Sequence, residues 1–240
     1  NFDIEVGVDP DYEALEMKVG SYINAEGKVV RDAADAVGIV FKMEAIGSDV
    51  PANYPVALQS KTIVGYAVAI ENVAAGRQVL NNAAMSSLVT TDATVTNGTQ
   101  ATETLLTGIG EVAFMTTYNS WVNEHPLDGE SLSSWYIPTV DQLGEFMGML
   151  FKIGEVEPTG GQAFREMPEF AFENGVMFDR DPIESVYYAS CTVNGSKDIS
   201  GVIINVDKTT KQVLDAKASS LKVTGSSQKA LCRPMITIFK

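Results

Sequence analysis

The chain has 240 residues, which suits one large domain or two small ones, and its apolar fraction of 45% allows a sizeable core. The formal net charge is −14, and the 17 basic residues are scattered. This pattern argues against nucleic acid and anionic membrane surfaces as partners, because phosphate contacts need clustered lysine and arginine. An acidic balance keeps a protein soluble, and we expect a monomer.

Few residues can carry common catalytic or metal chemistry. His125 is the only histidine, which excludes sites that need several, although a triad with one histidine stays formally possible. Cys191 and Cys232 are too few for a four-cysteine zinc site, and they form either one bridge in an exported protein or two buried thiols. There is no nucleotide-binding glycine fingerprint. We therefore predict no cofactor and no metal.

The first residues predict an arm followed by a hairpin. Residues 1–18 are acidic and irregular, with a turn signal at Asp9-Pro10-Asp11, so we place an N-terminal arm at 1–18 and the domain at 19–240. Residues 19–30 predict a hairpin with a glycine turn. Two apolar runs, Ala36–Met43 and Tyr66–Ile70, predict buried strands, and the segment between them is loop-like.

Two helices are predicted in the middle of the chain. Residues 71–98 suggest a loop, and a helix is predicted from Thr99 or Thr102 to about Asn123, weakened by Gly108 and Gly110 at about 1 kcal/mol each. The second helix follows Trp135-Tyr136-Ile137-Pro138, whose tryptophan we interpret as core packing. Thr139 and Gln142 have the spacing of a capping box at its start. The next apolar residues, up to Phe151, follow one helix face.

A long loop and a run of strands complete the chain. Residues 154–182 are rich in proline and glycine, and a loop of that length is uncommon unless it is functional. The last quarter predicts an antiparallel meander, with a hairpin signal at Asn194-Gly195. The predicted strands are Ser185–Val193, Ile199–Val206, Lys211–Val223 and Leu231–Phe239.

Several short segments match a known family in their order along the chain. They are Val19–Tyr22 with Glu26-Gly27, Gly38–Phe41, Tyr66–Ala69, Gly98–Glu103, Trp135–Thr139, Tyr188–Thr192 and Arg233-Pro234. With this order the chain resembles secreted and lipid-anchored proteins of Bacteroides-type bacteria that carry a C-type-lectin-like domain related to the formylglycine-generating enzyme. The resemblance covers about Val19 to Phe239. The chain departs from it at Ala189, where the family has tryptophan, and at Ala101-Thr102, where it has Asn-Thr.

The resemblance implies a fold class and a location. The expected class is α+β, with a C-type-lectin-like fold in which two helices flank a twisted antiparallel sheet and a long loop excursion forms the binding surface. Export to the outer cell surface through an N-terminal lipid-bearing cysteine, absent from this sequence, would be the only link to a membrane. The chain begins with Asn1 rather than methionine, which fits removal of a leader. The fold does not imply an enzyme.

The best candidate for ligand binding is the segment 162–181, which combines aromatic residues and arginines that suit sugar stacking or a protein contact. The predicted ligand-binding residues are Phe164, Arg165, Phe170, Phe172, Arg180 and Asp181. The alternative is that the phenylalanines pack the excursion onto the core. Calcium-dependent sugar binding has only a partial match at Glu157-Pro158-Thr159, and the carboxylates at 179–184 lack a regular ligand spacing.

Three functions remain open. The first is a non-catalytic surface protein that binds a glycan or a protein partner. The second is a structural or assembly component of a fimbria-like appendage, which docks neighbours through exposed strands and the arm. The third, least favoured, is an enzyme on the formylglycine-generating scaffold, because that activity would need a reactive cysteine pair close in sequence and Cys191 and Cys232 are about forty residues apart.

Overall fold

The structure is a computed structural model, and the residues it describes belong to an α+β fold with mostly antiparallel strands. The α+β class predicted from the sequence is therefore confirmed. The described residues are 15–73, 97–109, 113–151, 156–167, 178–180, 183–193, 199–207, 209–210, 213–221 and 231–240. Most of the predicted arm lies outside them.

The described part of the chain contains nine strands and five α-helices. The described strands are β1 (Tyr22–Ile23), β2 (Val29–Val30), β3 (Gly38–Lys42), β4 (Ile63–Ala69), β5 (Phe178–Arg180), β6 (Ile183–Val193), β7 (Ile199–Asp207), β8 (Val213–Leu221) and β9 (Met235–Phe239). The described α-helices are α1 (Val56–Gln59), α2 (Gly98–Ile109), α3 (Ala113–Glu124), α4 (Val140–Phe151) and α5 (Gly161–Arg165). Helix α1 and a 3-10 turn at Pro51–Asn53 lie in the segment predicted to be loop.

One sheet has five strands in the order β2-β1-β3-β4-β9, all antiparallel. The predicted hairpin between β1 and β2 is confirmed, and Gly27 takes a φ of 78° in its turn, a conformation that glycine adopts without strain. The outer side of β9 is covered by an irregular segment. Ser133 N donates to Thr237 O at 2.9 Å, and Tyr136 and Met235 exchange two backbone hydrogen bonds.

The other sheet has four strands in the order β5-β6-β7-β8, also antiparallel. β6 pairs with β7, as the Asn194-Gly195 signal predicts, although residues 194–198 lie outside the description. The sequence suggested one sheet, and the structure has two. They meet at Leu231, which precedes β9, because its backbone exchanges hydrogen bonds of 2.8 and 2.9 Å with Tyr187 and Ala189 of β6.

Helix α4 begins as predicted and packs against both sheets. Gln142 N donates to Thr139 Oγ1 at 3.3 Å, and Thr139 N donates to Gln142 Oε1 at 3.1 Å, so the capping box is confirmed. Leu143, Phe146 and Met147 are fully buried. They belong to a core cluster that also contains residues of both sheets, among them Phe41 of β3 and Ile204 of β7.

The predicted helix at 99–123 corresponds to two helices, α2 and α3, and residues 110–112 between them lie outside the description. Near the end of α3, Trp121 meets Trp135 edge to face with ring centroids 5.1 Å apart. Trp135 is 5% exposed, and its indole nitrogen donates to His125 O at 2.8 Å. The interpretation of Trp135 as a core residue is therefore confirmed.

Candidate functional site

A groove of about 1340 Å³ lies beside α4. We call it the α4–β8 groove. Its walls are α4, residues 216–218 of β8, the end of β3 with the turn after it, the turn Pro158–Gly160, and Met17–Val19. These segments are far apart in the sequence and meet only because α4 packs between the two sheets. A concave site of this size is a candidate for ligand or partner binding.

The α4 wall of the groove includes two glycines. Gly144 and Gly148 are four residues apart, so they share one face of the helix. A Cβ atom placed on either glycine would meet no atom of the described residues within 4 Å. The helix backbone is therefore open to the groove, and any larger side chain at these two positions would enter it.

The lining of the groove is mainly apolar and adaptable. Met17, Met43, Met147 and Met149 all line it, together with two alanines of β8. Methionine is unbranched and polarisable, so it fits ligand surfaces of varied shape and is frequent at binding surfaces that accept several partners. The lining therefore suits apolar side chains better than it suits a charged ligand.

Three lysines, Lys18, Lys42 and Lys217, line the groove, and Lys42 is paired with two carboxylates. Lys42 Nζ lies 3.1 Å from both Glu44 and Glu145, which links the end of β3 to α4. Burial alone would lower the pKa of Lys42, but its hydrogen bonds to Glu145 and Glu44 outweigh burial and raise the pKa. Asp141 adds a further carboxylate to the rim. Lys42 is therefore neutralised by neighbouring carboxylates on the α4 side of the groove.

β8 forms one side of the groove and is also the last strand of its sheet. No strand in the described part of the chain pairs with its outer edge. The register with β7 skips Leu214, which is 54% exposed. β8 has nine residues, and the last strand of a sheet is in general a place where another extended chain can pair.

Exposed apolar side chains surround this groove. Six large hydrophobic residues are exposed in the described part of the chain. Four of them, Leu15, Met43, Val156 and Leu214, lie in segments that line the groove or within two residues of such segments. The other two are Val50 and Val56. Apolar exposure concentrated at one concave place is typical of a contact surface.

Two of the predicted ligand-binding residues, Phe164 and Arg165, make structural contacts in α5. Phe164 is fully buried and packs edge to face on Phe146 at 6.2 Å, so it is a core residue and not a ligand-stacking one. Arg165 donates to Glu157 at 2.5 Å and to Met149 O at 3.1 Å, which ties α5 to the end of α4. The start of the excursion, Pro158–Gly160, forms a groove wall.

The rest of the predicted set is not brought into a described site. Arg180 belongs to β5, where its backbone pairs with Ile183, and its side chain is not described. Phe170, Phe172 and Asp181 lie outside the described residues. The sequence did not lead us to predict the groove. The signal that could have indicated it is the glycine pair at 144 and 148 within an otherwise apolar helix.

Cys191 and Cys232 are thiols in the structure, not the two halves of a disulfide, which corrects the bridge considered above. Both are fully buried. Burial raises the pKa of Cys191 to about 12 and that of Cys232 further. A thiol with a raised pKa holds little thiolate at neutral pH, so these groups are poor nucleophiles.

His125 is used in packing at the end of α3. Its ring stacks on Trp121 with centroids 4.2 Å apart, and Nδ1 lies 2.8 Å from Trp121 O. Nε2 lies 3.3 Å from a carboxylate oxygen of Glu71, and that same oxygen accepts a hydrogen bond from the Trp121 indole. The only histidine therefore belongs to a local aromatic cluster.

Comparison with known proteins gives no relative from which a function could be transferred. No family model, curated protein or solved structure matches this chain. Within the described ranges, no three histidine, cysteine or carboxylate side chains gather as a metal site would require. None of the helices that the structure describes combines the length and apolar character needed to cross a bilayer. The groove is therefore the feature from which a function can be argued.

Proposed function

We propose that this protein is a non-catalytic binding protein of the C-type-lectin-like class, and that its α4–β8 groove takes an extended segment of a protein partner. The observation that carries the proposal is the combination of an open glycine face on α4 with residues 216–218 of β8, the last described strand of its sheet, in the lining of the same groove. The family resemblance adds export and anchoring at the outer cell surface.

The proposed mode of binding is strand addition. An extended segment would pair its backbone with the outer edge of β8, and this pairing supplies affinity without depending on sequence. Every second side chain of such a segment would point toward α4, where Gly144 and Gly148 leave space. Selectivity would then come from alternate apolar side chains that fit between the methionines.

A protein partner is favoured over a glycan by the chemistry of the lining. Sugar recognition uses exposed aromatic faces and convergent polar groups. Among the described lining residues the aromatic ring is that of Phe41, which is fully buried. Methionine, alanine and glycine surfaces favour apolar side chains instead.

The test uses the full chain and a displayed library of random heptapeptides. We expect selected peptides to alternate apolar and polar residues. Gly148→Leu should weaken their binding at least about tenfold, since the new side chain fills the groove. Gly148→Ala is the matched control, because its single methyl group leaves most of the space. Peptides without alternation, or binding that Gly148→Leu does not change, would refute the proposal.

A second candidate function is that of an assembly component in a surface appendage. It is favoured by the same outer edge of β8, because an exposed edge can also receive a strand from a second copy. Sedimentation of the full chain over a wide concentration range separates the two. Growth of ordered polymers that removal of residues 1–18 prevents would favour assembly, whereas a monomer at all concentrations would favour the binding protein.

An enzyme on the formylglycine-generating scaffold remains the least favoured function. That chemistry needs a reactive cysteine, and burial disfavours the thiolate of both Cys191 and Cys232.

A further inference from the structure

Residues 50–57 form an exposed apolar turn, which we call the knob. Val56 is 82% exposed and Val50 is 45% exposed, so both side chains stand out from the body of the protein. The other exposed residues of the knob are Ala52, Asn53, Pro55 and Ala57. No residue of the knob carries a charge, although the whole chain has a net charge of −14. Exposed apolar residues without charged neighbours are typical of a contact surface.

The knob is held in one conformation by the residues beneath it. Tyr54 is 3% exposed, its hydroxyl donates to Asp49 at 2.6 Å, and its ring meets Phe239 edge to face at 4.9 Å. The side-chain amide of Gln59 donates to the backbone oxygen of Tyr54 at 2.9 Å. A surface that is already ordered loses little conformational entropy when it binds.

The knob lies beside the α4–β8 groove. Gly47 lines the groove, and Val50 follows three residues later in the chain. Three residues span at most about 11 Å, so the knob begins within that distance of the groove lining. Of the six large hydrophobic side chains that are exposed in the described residues, four surround the groove and two belong to the knob. A concave and a convex apolar surface therefore lie next to each other on one molecule.

The groove lining, like the knob, carries no net charge. Its charged residues are three lysines and three carboxylates, namely Lys18, Lys42, Lys217, Glu44, Asp141 and Glu145. The net charge of −14 therefore resides on the rest of the chain. Two copies of the protein would repel each other through most of their surface. A knob placed in a groove adds no repulsion of its own.

We propose that two copies of this chain form a dimer about a two-fold axis, in which the knob of each copy enters the α4–β8 groove of the other. This inference rests on the proposed function, because both treat the groove as a protein contact site. A two-fold interface requires that each copy present the same self-complementary patch, and a knob beside a groove meets that requirement. The dimer covers the groove, so an extended partner segment competes with the knob of the second copy.

Sedimentation of the full chain over a wide concentration range measures the association. We expect an equilibrium between monomer and dimer that goes no further, because a two-fold contact closes on itself. Raising the salt concentration from about 0.05 M to about 0.5 M should lower the dissociation constant at least about threefold, since salt screens the repulsion between two acidic chains.

Variants of each surface should weaken the dimer. Val56→Asp should raise the dissociation constant at least about a hundredfold, because it places an unpaired charge in both apolar contacts. Ala34→Asp is the matched control, which adds the same charge at an exposed position outside the knob and the groove lining and should have little effect. Gly148→Leu should raise the dissociation constant at least about tenfold, and Gly148→Ala should not.

A mixture of two variants tests the pairing of knob with groove. The Val56→Asp chain keeps an intact groove, and the Gly148→Leu chain keeps an intact knob. Mixed in equal amounts, they should associate more tightly than either variant alone, which would also show that both are folded. No gain in the mixture, equal weakening by Ala34→Asp, or growth of the unmodified protein beyond the dimer would overturn the inference.

Peptide binding separates failure of the dimer from failure of the proposed function. The heptapeptides selected from the displayed library are titrated into the unmodified protein and into Gly148→Leu. A monomer at all concentrations, with peptide binding that Gly148→Leu abolishes, would reject the dimer and retain the groove as a peptide site. A monomer at all concentrations without peptide binding would reject both.

Discussion

At the scale of single residues, the carboxyl group of Asp49 is buried and depends on several hydrogen-bond donors. Asp49 is 3% exposed and accepts hydrogen bonds from Tyr54 at 2.6 Å, Tyr66 at 2.7 Å and Asn97 at 3.3 Å. The hydroxyl of Tyr54 also forms a hydrogen bond of 2.8 Å with the hydroxyl of Thr237 in β9. These bonds join segments far apart in the sequence, which no local pattern could have predicted.

The first prediction concerns this carboxyl group and pH. Burial raises the pKa of Asp49 above its usual 3.8, although the hydrogen bonds from Tyr54, Tyr66 and Asn97 oppose the shift. Its folded pKa then exceeds the unfolded one, so its contribution to stability is present below pH 3.8 and is lost as pH rises through the folded pKa. Asp49→Asn cannot ionise. We expect the stability of the unmodified protein relative to this variant to fall as pH rises from about 4 to about 7.

Urea unfolding of both proteins across that pH range measures this difference, and the comparison cancels effects of the overall charge. Asp128→Asn is a suitable control, because it removes one carboxylate from an exposed position. A difference between the unmodified protein and Asp49→Asn that is independent of pH, or that grows in favour of the unmodified protein as pH rises, would contradict the prediction.

At the scale of elements, α4 carries the second prediction. Glycine in a helix interior costs about 0.5–1 kcal/mol relative to alanine. At Gly144 and Gly148 a Cβ would meet no described atom within 4 Å, so Gly144→Ala and Gly148→Ala should each stabilise the protein by about that amount. Denaturant unfolding gives the free energies. Gly98→Ala is the contrasting variant and should destabilise, because its Cβ would overlap the ring of Tyr136.

The same helix shows what the sequence could and could not predict. Its start at Thr139 and its buried face at Leu143 and Phe146 follow from local spacing, and both are observed. The groove beside it depends on Met17 and Ala218, which are brought to α4 only by the packing of the two sheets. Local periodicity carries no information about such distant neighbours.

Phe164 illustrates a second limit of sequence interpretation at this scale. An aromatic residue beside an arginine suggested a contact surface, but the short helix α5 turns that phenylalanine into the core and leaves Arg165 at the boundary. Composition alone cannot distinguish these outcomes, because large aromatic residues are common in cores and in interfaces alike. The direction of a side chain is decided by the backbone that carries it.

At the scale of the whole molecule, residues of both sheets pack together in the core. A single core cluster contains Val40 and Ile236 of the five-stranded sheet together with Ala189 and Ile199 of the four-stranded sheet. The strand order of each sheet could not be read from the sequence, since β9 joins β4 across most of the chain length. What the meander predicts is the neighbour order of β6, β7 and β8, and that order is observed.

The shared interior leads to a prediction about the two thiols. Cys191 belongs to β6, and Cys232 lies just before β9, where its carbonyl accepts from Val73 N at 2.9 Å. Both are fully buried in that same cluster, and burial raises both pKa values. Under native conditions at about pH 8, an alkylating reagent should therefore modify them at least about a thousandfold more slowly than in the unfolded chain.

Because Cys191 belongs to β6 and Cys232 precedes β9, the order of their modification tests whether these two parts of the core open together. If the interior opens as one cooperative unit, both thiols should be labelled at the same rate, and mass spectrometry should show molecules with none or two labels and few with one. The logarithm of the rate should rise linearly with denaturant, with a slope that reflects the surface exposed in global unfolding. Early labelling of Cys191 alone would mean that the four-stranded sheet separates from the five-stranded sheet before the rest unfolds, and the single shared interior would then be wrong as a description of how the molecule is stabilised.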